Sequence, residues 1–176
     1  MKKLIMMAIV ALAAAMPLRM MAQATTSTPT SAAVNLITPL TLTQVSPLHF
    51  GTMSVQASTA GTCVLKTDGT RAQTGGVNLS TAAPLATAAS YTVTGAVSTT
   101  YEITLPPTIS VTDGSSNTMT ISSLVAKAAS SAADGTTGTL SATGTDAFTV
   151  GGTLTVPAGQ AIGAYTGNFN VTVAYN

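Results

Sequence analysis

Apolar and polar residues alternate along most of this chain, and the alternation predicts strands in place of helices. In the segment 165–176, four apolar side chains share one face of an extended backbone, and small or polar residues share the other. Those four are Phe169, Val171, Val173 and Tyr175. A period of two residues is typical of a half-buried strand. The sequence therefore predicts a final strand whose free backbone edge needs a cover.

The same alternation recurs from residue 34 onward. The segment 34–45 places four apolar residues on one face: Val34, Leu36, Leu40 and Leu42. Pro39 limits it to an edge or a bulged strand, because proline cannot donate a ladder hydrogen bond. Further strand-like segments are 48–55, 62–73, 91–95, 101–106, 117–124 and 147–156. This spacing predicts an all-β fold, an antiparallel immunoglobulin-like β-sandwich of about seven to nine strands.

Glycine pairs mark the expected turns between these segments. Asp68-Gly69 predicts a hairpin with a tight primed turn, because glycine tolerates a positive φ. Asp113-Gly114 predicts a second turn, and Gly151-Gly152 predicts a hairpin inside 147–156. Residues 126–138, rich in Ala, Ser and Gly, predict a long loop or a weak helix.

Residues 1–24 have the organisation of an export signal. Lys2 and Lys3 precede an apolar run over residues 4–16, and residues 22–24 (Ala-Gln-Ala) supply a cleavage site after position 24 or, as the alternative, after position 22. The run is too short to span a bilayer. We expect an exported mature chain with no membrane span.

The mature chain begins with a leader over residues 25–33 that consists of Thr, Ser, Pro and Ala. This composition predicts a flexible or glycosylated segment. Residues 34–176 then form a single β-sandwich domain, which is long enough to bury a core.

Charge excludes one class of partner. Without residues 1–24, three of the six Lys and Arg residues remain against five acidic residues, so the net charge is 3 − 5 = −2. Three scattered cations cannot form the basic stripe that neutralises phosphates, and no aromatic platform accompanies them. Nucleic acid is not an expected partner.

The residues that could carry chemistry are few. His49 is the single histidine, and no second metal ligand lies at a useful spacing from it. The chain has no G-x-S-x-G elbow and no close pair of carboxylates, although a Ser-His-Asp arrangement stays open because its members need not be neighbours. We predict no catalytic, cofactor or metal site, and hence no enzyme.

Cys63 is the single cysteine. In an exported protein an odd cysteine can form a disulfide between chains. The alternative, which we favour, is a small apolar residue packed in the strand that leads to Val64.

Five blocks of the chain resemble the bacterial domain of unknown function 4402 family, in its usual order and over about residues 34–176. They are LHFGTMSV, GTCVLKTDGTRAQTGGV, YTVTG, TYEITLP and PAGQAIGAYTGNFNVTVAYN. The resemblance implies an exported β-sandwich of the bacterial periplasm, cell surface or medium. It also implies a more distant similarity to pilin subunits of the chaperone-usher type.

The pilin resemblance assigns roles to the two ends of the domain. Such subunits typically end in an alternating strand with a penultimate aromatic residue and a glycine fourteenth from the end, which Tyr175 and Gly163 match. The implied contact strand for a chaperone or neighbouring subunit comprises Gly163, Phe169, Val171, Val173 and Tyr175. The implied donor segment, residues 25–45, would place Val34, Leu36, Leu40 and Leu42 in a neighbour's groove by strand addition. The implied partners are identical subunits and a periplasmic chaperone.

Two other functions stay open at this point. The first is a monomeric secreted binding module, for example for glycans, in which 34–45 and 165–176 are the first and last strands of a complete sandwich. It would need exposed aromatic residues, and most of the seven aromatic residues fall at predicted core positions. The second is a hydrolase, which would need an acid-base cluster that the sequence does not display.

Overall fold

The computed structural model describes residues 25–176, and within them it contains twelve strands and no helix. The strands are β1 (Thr41–Ser46), β2 (Met53–Val55), β3 (Gly61–Leu65), β4 (Arg71–Gly75), β5 (Val77–Leu79), β6 (Ala89–Thr94), β7 (Thr100–Thr104), β8 (Thr108–Thr112), β9 (Thr118–Ala128), β10 (Thr137–Thr139), β11 (Thr145–Val156) and β12 (Thr172–Tyr175). All pairings are antiparallel. The predicted all-β, sandwich-like fold is confirmed, and the immunoglobulin-like subtype stays a prediction.

Strand β11 organises the main sheet. Along one edge it pairs first with β6, through residues 145–150, and then with β3, through residues 152–156. Its other edge pairs with β9. Strand β1 extends the sheet beyond β6, β4 beyond β3, and β8 beyond β9. Strand β11 is thus shared by two parts of the main sheet that diverge from each other, and the sheet curls.

Two smaller sheets cover this curled sheet. One has the order β10-β7-β12 and the other pairs β2 with β5. The first core lies between β6, β7 and β11, where the rings of Tyr91 and Phe148 stack with centroids 5.0 Å apart. The second core contains Phe50, Leu65 and Ile121. Residues of β11 contribute to both cores, so the domain folds around one shared strand.

The Gly151-Gly152 pair does not form the predicted hairpin. Both glycines lie inside β11, and Gly152 pairs with Leu65 of β3. A Cβ at Gly151 would collide with the carbonyl oxygen of Leu65, so close backbone approach selects glycine here. The prediction was wrong because it explained Gly151 by a turn, whereas the close approach of Leu65 requires a glycine there.

The two Asp-Gly pairs do form hairpins, β3–β4 and β8–β9. The β3–β4 turn is not a primed turn, because only Gly69 has a positive φ, at 83°, and the turn closes between Lys66 and Thr70. The strand number exceeds seven to nine because three strands have only three residues each: β2, β5 and β10.

Residues 126–138 form neither a helix nor one long loop. Ala126 and Ala128 end β9 and are buried in the first core, and β10 begins at Thr137. Small side chains fit here because the bulky stacked rings of Tyr91 and Phe148 occupy the same core.

The amino-terminal strand is shorter than the sequence predicts. The strand β1 begins at Thr41, two residues after Pro39, and the residues from 25 to 40 have no regular structure. Residues 36–176 form one compact unit. The predicted export signal, residues 1–24, lies outside the described residues.

Candidate functional site

A groove runs along the domain between its two end segments. We call it the edge groove. Its amino-terminal wall is residues 44–55 and its carboxyl-terminal wall is residues 160–172, which run in opposite directions. Three adjoining depressions of about 530, 410 and 250 Å³ make up its length, from Gln44 and Thr172 at one end to Val55 and Ala161 at the other.

Apolar side chains that belong to the cores form the floor of the edge groove. Tyr91 lies under the first depression. Met119, Ile121 and Leu154 lie under the middle one, and Met119 also reaches the third, where Val156 joins it. The alternation of β9 and β11 directs these side chains to the same side of the sheet. The cores are therefore accessible from one side of the fold.

Arg71 holds the amino-terminal wall in place. Its Nη1 donates to the carbonyl oxygens of Phe50 (2.8 Å) and Thr52 (3.2 Å), and its Nη2 donates to that of Ser80 (2.7 Å). A guanidinium presents its donors in a fixed planar fork, so it can join separate backbone segments in this way. Gly51, with a φ of 75°, turns the chain between Phe50 and β2. The wall is thus fixed by the side chain of a neighbouring strand.

The carboxyl-terminal wall makes few backbone hydrogen bonds. Between residues 160 and 171, Thr166 exchanges two bonds of 2.9 Å with Thr112, and regular pairing begins only at Thr172. Side chains hold the rest of the wall: Tyr165 donates to the carbonyl of Ala161 and accepts from Gln160. The predicted strand 165–176 is therefore a ladder only over β12.

Each wall includes a short part of an edge strand: residues 44–46 belong to β1, and Thr172 belongs to β12. Within residues 25–176, β1 pairs with β6 alone and β12 pairs with β7 alone. An edge strand presents a row of unpaired N–H and C=O groups, which can pair with another chain. The edge groove thus has an apolar floor and meets two edge strands, β1 and β12, at its Gln44 and Thr172 end.

The residues of the predicted contact strand take the predicted faces. Phe169, Val171, Val173 and Tyr175 are half-buried against the cores, and the residues between them are exposed. Gly163 is exposed beside Asp113 and lines the groove. All five predicted residues therefore lie on one continuous segment, and three of them, Gly163, Phe169 and Val171, line the groove.

The residues of the predicted donor segment separate into two pairs. Leu40 and Leu42 are half-buried against the first core of their own domain, and Leu42 lies in β1. Val34 and Leu36 lie outside any strand and are 81% and 92% exposed. We therefore restrict the donor hypothesis to the residues before Thr38, because Leu40 and Leu42 already fill a site in their own domain.

The remaining candidate residues, His49 and Cys63, take part in the hydrogen bonding and packing of the domain. His49 accepts a 2.8 Å hydrogen bond at Nδ1 from the backbone of Gly51. Cys63 is fully buried, and burial raises the pKa of its thiol although the charge of Arg71 lowers it. Within residues 25–176, no three His, Cys, Asp or Glu residues cluster as metal ligands. No helix long and apolar enough to cross a bilayer occurs in the same range.

The titratable groups with shifted pKa values lie in the core or in the hairpin turns. Burial raises the pKa of Tyr101, and so does the hydrogen bond of 2.9 Å that its hydroxyl donates to Asp146. Hydrogen bonds from Thr70 lower the pKa of Asp68, and those from Asn117 and Ser115 lower that of Asp113. The two aspartates stabilise the two hairpin turns.

Sequence reasoning missed the roles of two residues: Met119, in the floor of the groove, and Arg71, which holds the amino-terminal wall. Met119 falls in the predicted strand-like segment 117–124, but alternation could not show that the cover over this side chain is incomplete. In the sequence, Arg71 stands out only because it is one of the three Lys and Arg residues after residue 24.

The fold and the site together define an all-β, sandwich-like protein with an open apolar groove between its end segments. The chain belongs to the family described as Domain of unknown function (DUF4402), whose model matches residues 40–175. This match confirms the family resemblance, whereas the pilin similarity stays a prediction. A comparison with curated proteins gives no match.

Proposed function

We propose that this chain is an exported, non-enzymatic structural or adhesive protein of the bacterial surface. In its sharpest form it is a fimbrial, pilin-like subunit that assembles by strand exchange. The supporting observation is that an apolar groove, which meets the edge strands β1 and β12 at one end, occurs in a chain that also has exposed apolar residues before its first strand. Identical subunits, and a periplasmic chaperone before assembly, are the proposed partners.

The exposed residues give the energetic reason for assembly. We call residues 25–37 the arm. Val34, Leu36 and Ile37 are 81%, 92% and 59% exposed. Burying such a side chain fully contributes about 1.5–3 kcal/mol, so covering two of them would favour association by several kcal/mol before its entropic cost. A strand added beside β1 or β12 would also pair backbone groups that lack a strand partner.

A monomeric secreted binding module is the second candidate. It is supported by the half-buried rings of Tyr165 and Phe169, which lie in the carboxyl-terminal wall of the groove. Aromatic faces at an open groove can stack on sugar rings. Four of the seven aromatic residues are buried, which leaves this platform small.

Surface shearing tests the proposal directly. Material released from cells is run on a denaturing gel with and without boiling, and is imaged by negative stain. A ladder that collapses to one band on boiling, together with thin fibres, is the expected result. A single monomer band without fibres would contradict assembly, and glycan-array binding by that monomer would favour the second candidate.

Two single substitutions make the test specific to the arm. Leu36→Asp should abolish the ladder, because a charge in the groove would lose its hydration. Val97→Asp is the matched control, since Val97 is also an exposed apolar residue, at 59%, but lies in the turn between β6 and β7. Equal loss of assembly in both variants would show that the arm has no special role.

A further inference from the structure

We infer that the domain binds a free α-amino acid with an apolar side chain in a cleft beside β9. We call this site the β9 cleft. It consists of two adjoining depressions of about 420 and 410 Å³, and both have Ser123, Val125 and Asp134 in their walls. The residues of the β9 cleft are different from those that line the edge groove, so the inference is independent of assembly.

The second depression collects much of the charge of the domain, and we call it the charged depression. After residue 24 the chain has eight Asp, Glu, Lys and Arg residues, and four of them line this depression: Lys66, Asp68, Lys127 and Asp134. They come from three separate segments, namely the β3–β4 hairpin, β9 and the connection from β9 to β10. Because both signs of charge are present, the depression is complementary to a ligand that also carries both.

Three of these four side chains can bind a ligand. Asp68 holds the hairpin turn, since its Oδ1 accepts hydrogen bonds from the backbone N–H and the hydroxyl of Thr70 at 2.8 and 2.6 Å. Asp134 accepts a 2.9 Å hydrogen bond from the hydroxyl of Thr67 at Oδ1. A carboxylate has two oxygens, so Asp134 can also accept from an ammonium group. Lys66 and Lys127 can donate to a carboxylate, and such charge-assisted hydrogen bonds are strong.

The packing of β11 brings these segments together. The end of β3 lies directly over Gly151, where a Cβ would meet backbone atoms of Lys66. On the other side, β9 places two residues, Ser123 and Leu124, opposite Gly152. This bulge holds Ser123 at a φ of 49°, in the left-handed region that a serine rarely adopts. The fold thus maintains an unfavourable backbone conformation in the wall that the two depressions share.

The first depression is lined mainly by apolar residues, and we call it the apolar depression. It lies between residues 105–107, 123–126 and 134–136. The N–H of Gly135 donates a 2.8 Å hydrogen bond to the carbonyl of Ala126, which fixes the neighbouring Asp134 beside β9. Pockets for small ligands typically combine an apolar lining with a few polar groups that orient the ligand.

The three substituents of an α-amino acid match this arrangement. Its carboxylate would bind Lys66 and Lys127, and its ammonium group would bind Asp134 at the boundary between the depressions. Its apolar side chain would enter the apolar depression, where burial of its surface favours binding. A ligand that lacks any one of the three groups would lose one of these contacts.

Titration of the ¹⁵N-labelled protein with leucine, followed by two-dimensional NMR, tests the inference. We expect saturable shifts of the backbone amides of Thr67, Ser123 and Val125, which line the β9 cleft. The amides of Gly51 and Thr166, which line the edge groove, should not shift. An absence of saturable shifts at the β9 cleft would overturn the inference.

Three related compounds test the role of each part of the cleft. Leucinamide lacks the carboxylate, N-acetylleucine lacks the ammonium group, and glycine lacks the apolar side chain. Each should bind more weakly than leucine by about tenfold or more. If leucinamide or N-acetylleucine bound as well as leucine, the assigned role of the lysines or of Asp134, respectively, would be wrong, and with it the inference.

A pair of charge substitutions locates the ammonium site. Asp134→Asn keeps an oxygen that can accept from Thr67 but removes the charge, so it should weaken leucine binding by about tenfold or more. Glu102→Gln is the matched control, because it removes one carboxylate from β7, outside both depressions. Equal affinity for leucine in the two variants would overturn the inference. Such a result would not affect the proposed function, because surface shearing measures assembly and not binding to the β9 cleft.

Discussion

Tyr175 and Thr38 join the two ends of the domain. The tyrosine hydroxyl donates to the Thr38 carbonyl at 2.7 Å and accepts from the backbone N–H of Ala96 at 2.6 Å. Gly95 lets the ring approach, since a Cβ there would collide with the hydroxyl oxygen. One phenol thus joins the last strand, the β6–β7 turn and the chain just before β1.

Replacing Tyr175 with Phe should destabilise the domain by about 1–3 kcal/mol, because it leaves the Ala96 N–H and the Thr38 carbonyl without their partner. Chemical unfolding measures the stability, and hydrogen exchange at the Ala96 amide should accelerate. Tyr165→Phe is the control, because its hydroxyl contacts only the nearby Gln160 and Ala161. Unchanged hydrogen exchange at the Ala96 amide in Tyr175→Phe would contradict the role of the Tyr175 hydroxyl in joining these segments.

Arg71→Lys should weaken both the fold and assembly. A lysine ammonium cannot reach the carbonyls of Phe50, Thr52 and Ser80 together, so at least one of them loses its partner, at a cost of about 1–2 kcal/mol. Assembly is measured by the ladder on an unboiled gel. It should decrease by more than the lost folding stability alone would cause, because the groove wall shifts.

Lys127→Ala is the control for that experiment, since Lys127 lies on β9 outside the edge groove. Assembly that stays at the wild-type level in Arg71→Lys would show that the wall does not depend on the guanidinium.

Gly151→Ala should destabilise the domain by about 1–3 kcal/mol or more, because the added methyl group meets the backbone of Leu65 and Lys66, which cannot move away cheaply. Thermal unfolding measures the loss. Gly135→Ala is the matched control, since nothing lies within 4 Å of a Cβ there. Similar melting temperatures for both variants would refute the role of close packing at β11.

Cys63 should resist both oxidation and alkylation in the folded protein. Burial excludes reagents and raises the pKa of the thiol, which keeps it in the less reactive protonated form. We expect only the monomer band on a nonreducing gel of the unassembled chain, and thiol reaction only after denaturant is added. A dimer that collapses with reductant would restore the hypothesis of a disulfide between chains.

Stability should fall at alkaline pH because of Tyr101. The fold raises the pKa of this phenol above its ordinary value of 10.0, so folding favours the neutral form. The resulting stability is complete below the pKa of the unfolded tyrosine and is lost as pH rises from there towards the folded pKa. Denaturant unfolding from pH 8 to 11 measures the slope, which should decrease in Tyr101→Phe. An equal slope in both proteins would assign the effect to other groups.

Alternation of side chains was sufficient to predict much of the fold. Tyr101 and Ile103 are buried and Glu102 is exposed, as a period of two requires. The faces of Phe169 and Tyr175 agree with the sequence for the same reason. Side-chain periodicity is a local property of the strand backbone, so neighbouring residues reveal it.

Strand pairing and exposed edges could not be predicted in this way. Gly151 looked like a turn residue, but the approach of Leu65 from a distant part of the chain makes it the middle of a long strand. Likewise, Val34 and Leu40 continue one apolar pattern, yet Leu40 packs in a core and Val34 is exposed.

The sequence by itself determined an all-β chain with few charged residues, because alternation and composition act through local geometry and solvation. Only the tertiary structure decided that the core opens into the edge groove and that Tyr175 holds Thr38. Both depend on contacts between segments more than a hundred residues apart, which no local pattern records.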